Sequence, residues 1–207
     1  LLCPPGSIGM AKKVLVFLAE GFEEVEAVTP IDYLRRAGID VVTLSLGASL
    51  EVNGSHGIAL KADALFKDCT LSAAGWDAAV CPGGMPGAAN IAAHAEAGSF
   101  IREMAGEGKL IAAICAAPAA ILAPLGLLAG KRYTCFPGME REVSSALNKA
   151  AQWTEDRVVR DGNILTGRAA GTAGEFSAAI IGALLSEKEG RAVAEKVLLL
   201  DPQASRR

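Results

Sequence analysis

Short apolar runs bounded by glycine or proline recur along the chain, at residues 14–19, 41–46, 78–81, 110–114 and 164–166. Runs this short and this continuous read as strands buried on both faces. Between them lie stretches whose apolar positions repeat at helical spacing, at residues 24–37, 99–107, 117–122 and 174–185. Strands alternating with helices predict βαβ units, and therefore an α/β fold with a doubly wound, mostly parallel sheet and helices on both faces. Two places break the alternation. Residues 51–62 carry Asn53-Gly54 between strand-like flanks, and Asp161-Gly162-Asn163 joins residues 157–160 to 164–166. Both predict tight hairpins on a sheet margin.

Composition sharpens this picture. The 207 residues are 51% hydrophobic and only 5% aromatic, so the core must be built mainly from Ala, Val, Ile and Leu. A length near the usual ~100–200 residues of one domain predicts a single domain over residues 10–207. Residues 1–9 precede the first strand pattern and read as an extension or expression scar. The formal net charge of −3, with both signs dispersed, leaves no basic stripe for nucleic acid. No apolar run nears the ~18 residues of a membrane span, and no basic-then-apolar signal segment opens the chain, so a cytoplasmic location is expected. Five cysteines, an odd number without a Cys-x-x-Cys pair, argue against a disulfide scaffold and against a zinc knuckle.

Candidate chemistry begins at Leu110-Ile-Ala-Ala-Ile-Cys115-Ala-Ala-Pro118, where an apolar strand runs directly into small residues. That is the pattern of a nucleophile elbow, a strained turn that exposes one side chain at the C-terminal edge of a sheet. A helix starting there would favour the thiolate of Cys115 and lower its pKa. A buried small hydrophobe is the alternative for any free cysteine, and it is the reading taken for Cys69, Cys81 and Cys135, which lack this context.

After the first strand come Glu23, Glu24 and Glu26. Glu23 and Glu24 read as solvated caps of the following helix. Glu26 lies about 200° round the helix from Glu24, at ~100° per residue, and can face the crevice that holds Cys115. A carboxyl there could hydrogen-bond a thiolate or carry a proton. A third stretch, Pro82-Gly83-Gly84-Met85-Pro86, leaves a strand through paired glycines, either as a plain turn or to bring backbone N–H groups against a reacting oxygen. It lacks the Lys-Ser/Thr of a phosphate loop and the spacing of a dinucleotide fingerprint, so no nucleotide cofactor is expected.

Together these stretches resemble the ThiJ/PfpI superfamily, and within it the branch of the Parkinsonism-associated protein deglycase, often called DJ-one. The resemblance rests on Leu18-Ala-Glu-Gly-Phe-Glu-Glu-Val-Glu26, Arg35-Arg-Ala-Gly-Ile39, Pro82-Gly-Gly84, Ala112-Ala-Ile-Cys-Ala-Ala-Pro118, Leu165-Thr-Gly-Arg168, Gly171-Thr172 and Glu175-Phe176, and runs from about Lys13 to Val197. It implies a flavodoxin-like fold, a homodimer, and no cofactor or metal. By position, it makes Cys115 the nucleophile, Glu26 its carboxyl partner, and the N–H groups of Gly84 and Ala116 the oxyanion donors, with Gly83 beside them. The implied substrates are methylglyoxal-type 2-oxoaldehydes or their early protein adducts; the implied alternative is an oxidation sensor or redox chaperone using the same cysteine. Members with a third catalytic residue carry a histidine where this chain has Phe136, which cannot exchange a proton. The protease branch carries a histidine directly after its nucleophile; Ala116 here argues against a peptidase. His56 and His94 fall outside every matching position and are expected at the surface.

Overall fold

The structure is a computed structural model that describes residues 11–147 and 150–201; the expected extension at residues 1–9 lies outside them. Eleven strands are described: β1 (Lys13–Leu18), β2 (Asp40–Ser45), β3 (Glu51–Asn53), β4 (Ala59–Lys61), β5 (Ala64–Leu65), β6 (Ala78–Cys81), β7 (Leu110–Ile114), β8 (Arg132–Tyr133), β9 (Gln152–Trp153), β10 (Val158–Asp161) and β11 (Ile164–Gly167). The α-helices are α1 (Glu24–Arg36), α2 (Gly87–Ala93), α3 (Ala95–Gly106), α4 (Glu140–Ala146), α5 (Ala173–Leu184) and α6 (Glu187–Lys196).

Seven strands form one sheet in the order β10-β11-β7-β6-β1-β2-β5, parallel throughout except for the β10–β11 pair. This is the expected α/β arrangement, and its physical signature is strand burial. Alternate residues of β1 enter different cores: Leu15 and Phe17 pack with Ile91, Phe100, Ile101 and Met104 of α2 and α3. Val14, Val16 and Leu18 pack with Ala27 and Leu34 of α1 and with Phe176, Ile180 and Ile181 of α5. Each fully buried aliphatic or aromatic side chain contributes about 1.5–3 kcal/mol of transfer free energy, so a polar face on β1 would be selected against on both sides.

The margin hairpin at β10–β11 is as expected. Asp161 pairs with Ile164, leaving Gly162-Asn163 as a two-residue turn. The other hairpin differs. β3 and β4 form a ladder of their own, off the main sheet, and residues 54–58 separate them. Gly54 does not serve a two-residue turn. A Cβ there would strike the Glu24 carboxylate, so the glycine lets the hairpin dock on the start of α1. Phe22 and Gly54 form an isolated bridge, and the Ser55 N–H donates to the Phe22 carbonyl (2.8 Å).

No described helix is long and apolar enough to cross a membrane.

Candidate active site

From β1 the chain builds outward through β2 to β5, then returns to lay β6 on the other side of β1 and continues to β7 and β11. The order therefore reverses between β1 and β6, and in open α/β sheets the crevice beyond the strand C-termini at such a reversal is where ligands bind. The segments that leave β1, β6 and β7 at that edge are the ones carrying Glu26, Gly83-Gly84 and Cys115-Ala116.

Cys115 comes directly after the last residue of β7 with φ +63°, left-handed backbone for a residue that has a Cβ. Such a conformation costs on the order of 1–3 kcal/mol and persists only where neighbours hold it. Its N–H donates to the Gly167 carbonyl (2.9 Å), and its carbonyl accepts from the Phe136 N–H (2.8 Å). Gly83 completes the clamp from the side. A Cβ at Gly83 would lie 2.6 Å from Glu26 Oε2, 2.8 Å from the Cys115 Cβ and 2.9 Å from the Ile114 carbonyl. The missing side chain is what lets the thiol and the carboxyl stand next to each other.

Glu26 is fully buried in the first turn of α1. Its Oε2 accepts the Gly83 N–H at 2.9 Å, while Oε1 has no hydrogen-bond partner of ordinary geometry. Burial, against the smaller pull of the Cys115 thiol, and with an added push from the Glu23 charge, raises this carboxyl to about 7. A protonated Oε1 would supply a hydrogen-bond donor to the sulfur.

The expectation of a lowered thiol pKa is not met. Burial, then the neighbouring Glu26 charge, push the Cys115 thiol up, and only the N–H groups of Ala116 and Gly84, which donate toward the sulfur, pull it down. The reason is that the thiol is buried beside a second acid, which outweighs any pull from the helical stretch expected over 117–122 and found as a π-helical turn at Pro118–Leu122. Ionised Cys115 is favoured when Glu26 keeps the proton, so the pair works as one proton-sharing unit.

The same fold recurs in proteins of known family. Residues 12–183 match the DJ-1/PfpI family. This chain belongs to the DJ-1/PfpI family. It is 34% identical over 190 residues to the Parkinson disease protein 7 homolog of Danio rerio, covering 92% of this chain and 98% of that protein. A deglycase of Pyrococcus abyssi is 31% identical over 159 residues, covering 77% of this chain and 91% of that protein. Against the DJ-1 homologs B and A of Arabidopsis thaliana, which are 37% and 38% identical over 90% and 92% of this chain, it spans only 41% and 47% of their length. Among solved structures, a DJ-1 superfamily protein from Salmonella typhimurium superposes with a TM-score of 0.81 at 36% identity, covering 90% of this chain and 98% of that one. Oxidized DJ-1 from Toxoplasma gondii gives 0.82 at 35% identity, with 91% and 98% covered.

Within the DJ-1/PfpI frame, Phe136 is 46% exposed and tied through its N–H to the Cys115 carbonyl, so the position at which the resemblance places a histidine is joined to the Cys115 main chain but carries an apolar ring. His94 is not simply a surface residue: its Nδ1 accepts the Ala97 N–H (3.3 Å) as the cap of α3, and its ring meets Phe66 edge-on. Glu23 and Glu24 are not solvated caps. Glu23 does cap α1, accepting the Glu26 N–H at 2.7 Å, but Glu24 is buried and holds the hairpin loop through the His56 N–H (2.6 Å), the His56 ring (2.8 Å) and the Ile58 N–H (3.3 Å). The partners that sequence reasoning missed are backbone groups: the Gly167 carbonyl and the Phe136 N–H on Cys115, and the Ala170 N–H on Glu26. Main-chain partners leave no residue-type signal, and only their nearness to the Leu165–Arg168 and Gly171-Thr172 stretches pointed that way.

Proposed function

We propose that this protein is a cofactor-independent glyoxalase or deglycase in which Cys115 attacks the aldehyde carbon of a 2-oxoaldehyde or of its early protein adduct. The observation that carries the reading is the left-handed Cys115 beside a buried carboxyl, Glu26, that has one oxygen fixed by Gly83 and the other without a hydrogen bond of ordinary geometry. The thiolate adds to the aldehyde to give a hemithioacetal, and the oxyanion that develops is held by the N–H groups of Gly84 and Ala116. Glu26 gives its proton to that oxygen and, now ionised, takes the proton from the former aldehyde carbon and returns it to the adjacent carbonyl carbon while the hydroxyl proton passes between the two oxygens, giving a thioester of the 2-hydroxy acid. Water then cleaves the thioester, releasing the acid and restoring the thiol. The internal transfer oxidises one carbon and reduces its neighbour, so no external oxidant enters.

A relative named deglycase supports the substrate class. Incubation with methylglyoxal alone should give lactate; Cys115→Ser should lower the rate by at least ~100-fold. Full activity in Cys115→Ser would sink the proposal.

A second reading, an oxidation sensor, is favoured by the same Oε1, which as a protonated carboxyl would donate to a sulfinate. Two equivalents of peroxide convert the thiol to sulfinic acid with release of two waters. Peptide mass spectrometry after mild peroxide should find the oxidation concentrated on Cys115, and even oxidation of all five cysteines would count against it.

We also place the protein in the cytoplasm as a homodimer. Cys81, Cys115 and Cys135 are unpaired thiols, as suits a reducing compartment. Val25 and Val28 of α1 and Ile58 of the hairpin loop leave an exposed apolar face that a second copy would cover. Light scattering on the purified chain tests the dimer, and a monomeric mass at micromolar concentration would rule it out.

A further inference from the structure

The clamp between the hairpin loop and α1 has a chemistry of its own, separate from the thiol. Glu23, Glu24 and His56 each present one atom, and the three atoms lie within 4.8 Å of one another. His56 Nδ1 stands 2.8 Å from Glu24 Oε2 and 3.9 Å from Glu23 Oε1. An ion with bonds of roughly 2.0–2.2 Å keeps neighbouring ligands about 3 Å apart, so one could take the place of the proton between Nδ1 and Oε2 with only a small shift of Glu23.

Three features distinguish this set from an ordinary surface ion pair. Each carboxylate has one oxygen occupied by backbone donors and turns the other to the imidazole. Glu24 Oε1 accepts the N–H groups of His56 and Ile58, and Glu23 Oε2 accepts the Glu26 N–H. Such outer hydrogen bonds are what orient metal ligands before the ion arrives. The charge is uncompensated by lysine or arginine as well: among the described residues His56 is the one basic side chain paired with Glu23 and Glu24, and the Ser55 hydroxyl stands 3.4 Å from Glu24 Oε2 and 3.1 Å from His56 Nδ1. Finally, the carboxylates are sheltered, with side chains 14% and 5% exposed, while the His56 ring is 69% exposed. Because Ile58 of the same loop belongs to the face assigned above to the dimer, water at the edge of that face would complete the coordination.

We propose that Glu23, Glu24 and His56 form a divalent transition-metal site, with His56 Nδ1, Glu24 Oε2 and Glu23 Oε1 as ligands. One imidazole with two carboxylates selects the borderline ions Zn²⁺, Co²⁺, Ni²⁺ and Cu²⁺ over Mg²⁺ and Ca²⁺, which prefer all-oxygen shells. Binding displaces the Nδ1 proton, so affinity rises with pH until that nitrogen is free. This inference is independent of the proposed turnover at Cys115.

The test uses the full chain carrying Cys115→Ser, so that the reactive thiol cannot capture the probe. Titration with Zn²⁺ by calorimetry at pH 7.5 should give one site per chain, and Co²⁺ should produce visible d–d absorption. Adding His56→Ala should weaken Zn²⁺ binding at least ~10-fold and abolish the Co²⁺ bands. Glu23→Gln should weaken binding too, and it leaves the Glu24 clamp in place should His56→Ala disturb the loop. Unchanged Zn²⁺ binding in both variants, or none in the parent, would overturn the proposal.

Discussion

Glu24 and Glu26 leave the same turn of α1, and both are nearly inaccessible, at 4% and 0% exposure. Glu24 is nonetheless held at about 2 and Glu26 at about 7. Burial pushes both upward. At Glu24 the His56 ring and the N–H groups of Glu24, His56 and Ile58 outweigh it; at Glu26 the thiol and the Gly83 and Ala170 N–H groups do not. Glu24 lies at the rim beside the exposed His56 ring and Glu26 in the interior, so depth and donor supply together decide which carboxylate stays charged. The two therefore suit different work: Glu24, held low, fastens a loop as an anion, and Glu26, held near neutrality, suits the proton transfer of the proposed reaction.

The sharpest way to break this comparison is Glu26→Gln, which keeps the shape and the Gly83 bond but cannot ionise. Turnover of methylglyoxal should fall by ~10²–10⁴-fold, the usual contribution of a positioned acid–base group. The equivalent change at Glu24 should leave the chemical step within ~10-fold. Steady-state lactate assays on the two variants decide it, and equal losses would mean that Glu26 acts through structure alone.

Stability against pH should separate the two by sign. Glu26, raised from 4.5 to about 7, holds a proton in the folded state that the unfolded chain has released. Stability from this group is thus full below about 4.5 and falls as pH climbs toward 7, by on the order of 3 kcal/mol at about 1.4 kcal/mol per unit. Glu24, lowered from 4.5 to about 2, runs the other way: its contribution is present above 4.5 and is lost as pH drops toward 2. Urea unfolding across pH 4.5–8 should show that Glu26→Gln removes the decline at the upper end. An unchanged profile would mean that Glu26 is already ionised when folded.

Removing the Glu24 side chain should cost less. In Glu24→Ala the N–H groups of His56 and Ile58 lose their acceptor, and because both residues are exposed, water takes its place and the loss stays at about 1–2 kcal/mol in all. Hydrogen exchange should report faster opening of residues 54–58 while the seven-stranded sheet stays protected.

Much of this architecture was legible in the chain. β6 and β7 coincide with the apolar runs at 78–81 and 110–114, because strands buried on both faces write themselves as uninterrupted hydrophobic sequence. The Cys115 elbow was legible for the same reason, since Gly83, Ala116 and Ala117 must be small where three segments converge. α6 was missed: only Gly190, Val193 and Ala194 are buried, and three contacts in ten polar-rich residues leave little period to detect. The clamp was illegible for another reason. Glu24 and His56 are 32 positions apart, and only the docking of a hairpin brings them together. The direction of the thiol pKa was illegible because it depends on how deeply Cys115 is buried and on a carboxyl, Glu26, brought beside it from a distant segment.

The smallest effect belongs to the exposed end of the clamp. Glu24, by side-chain hydrogen bond and then by charge, raises the His56 pKa above its usual value. A raised folded pKa on a cation means that its stabilisation is present below the unfolded value of about 6.5 and is lost as pH rises through the folded one. Because the ring lies largely in water, the ion pair is screened and salt-sensitive. His56→Ala should therefore lower Tm by no more than about 2–4 °C at pH 5.5, with the gap closing as pH rises and shrinking in 1 M NaCl. A gap that persisted at pH 8.5 and high salt would show that the ring's packing, and not its charge, fastens the loop, and would reduce the Glu24–Glu26 contrast to one of backbone donors alone.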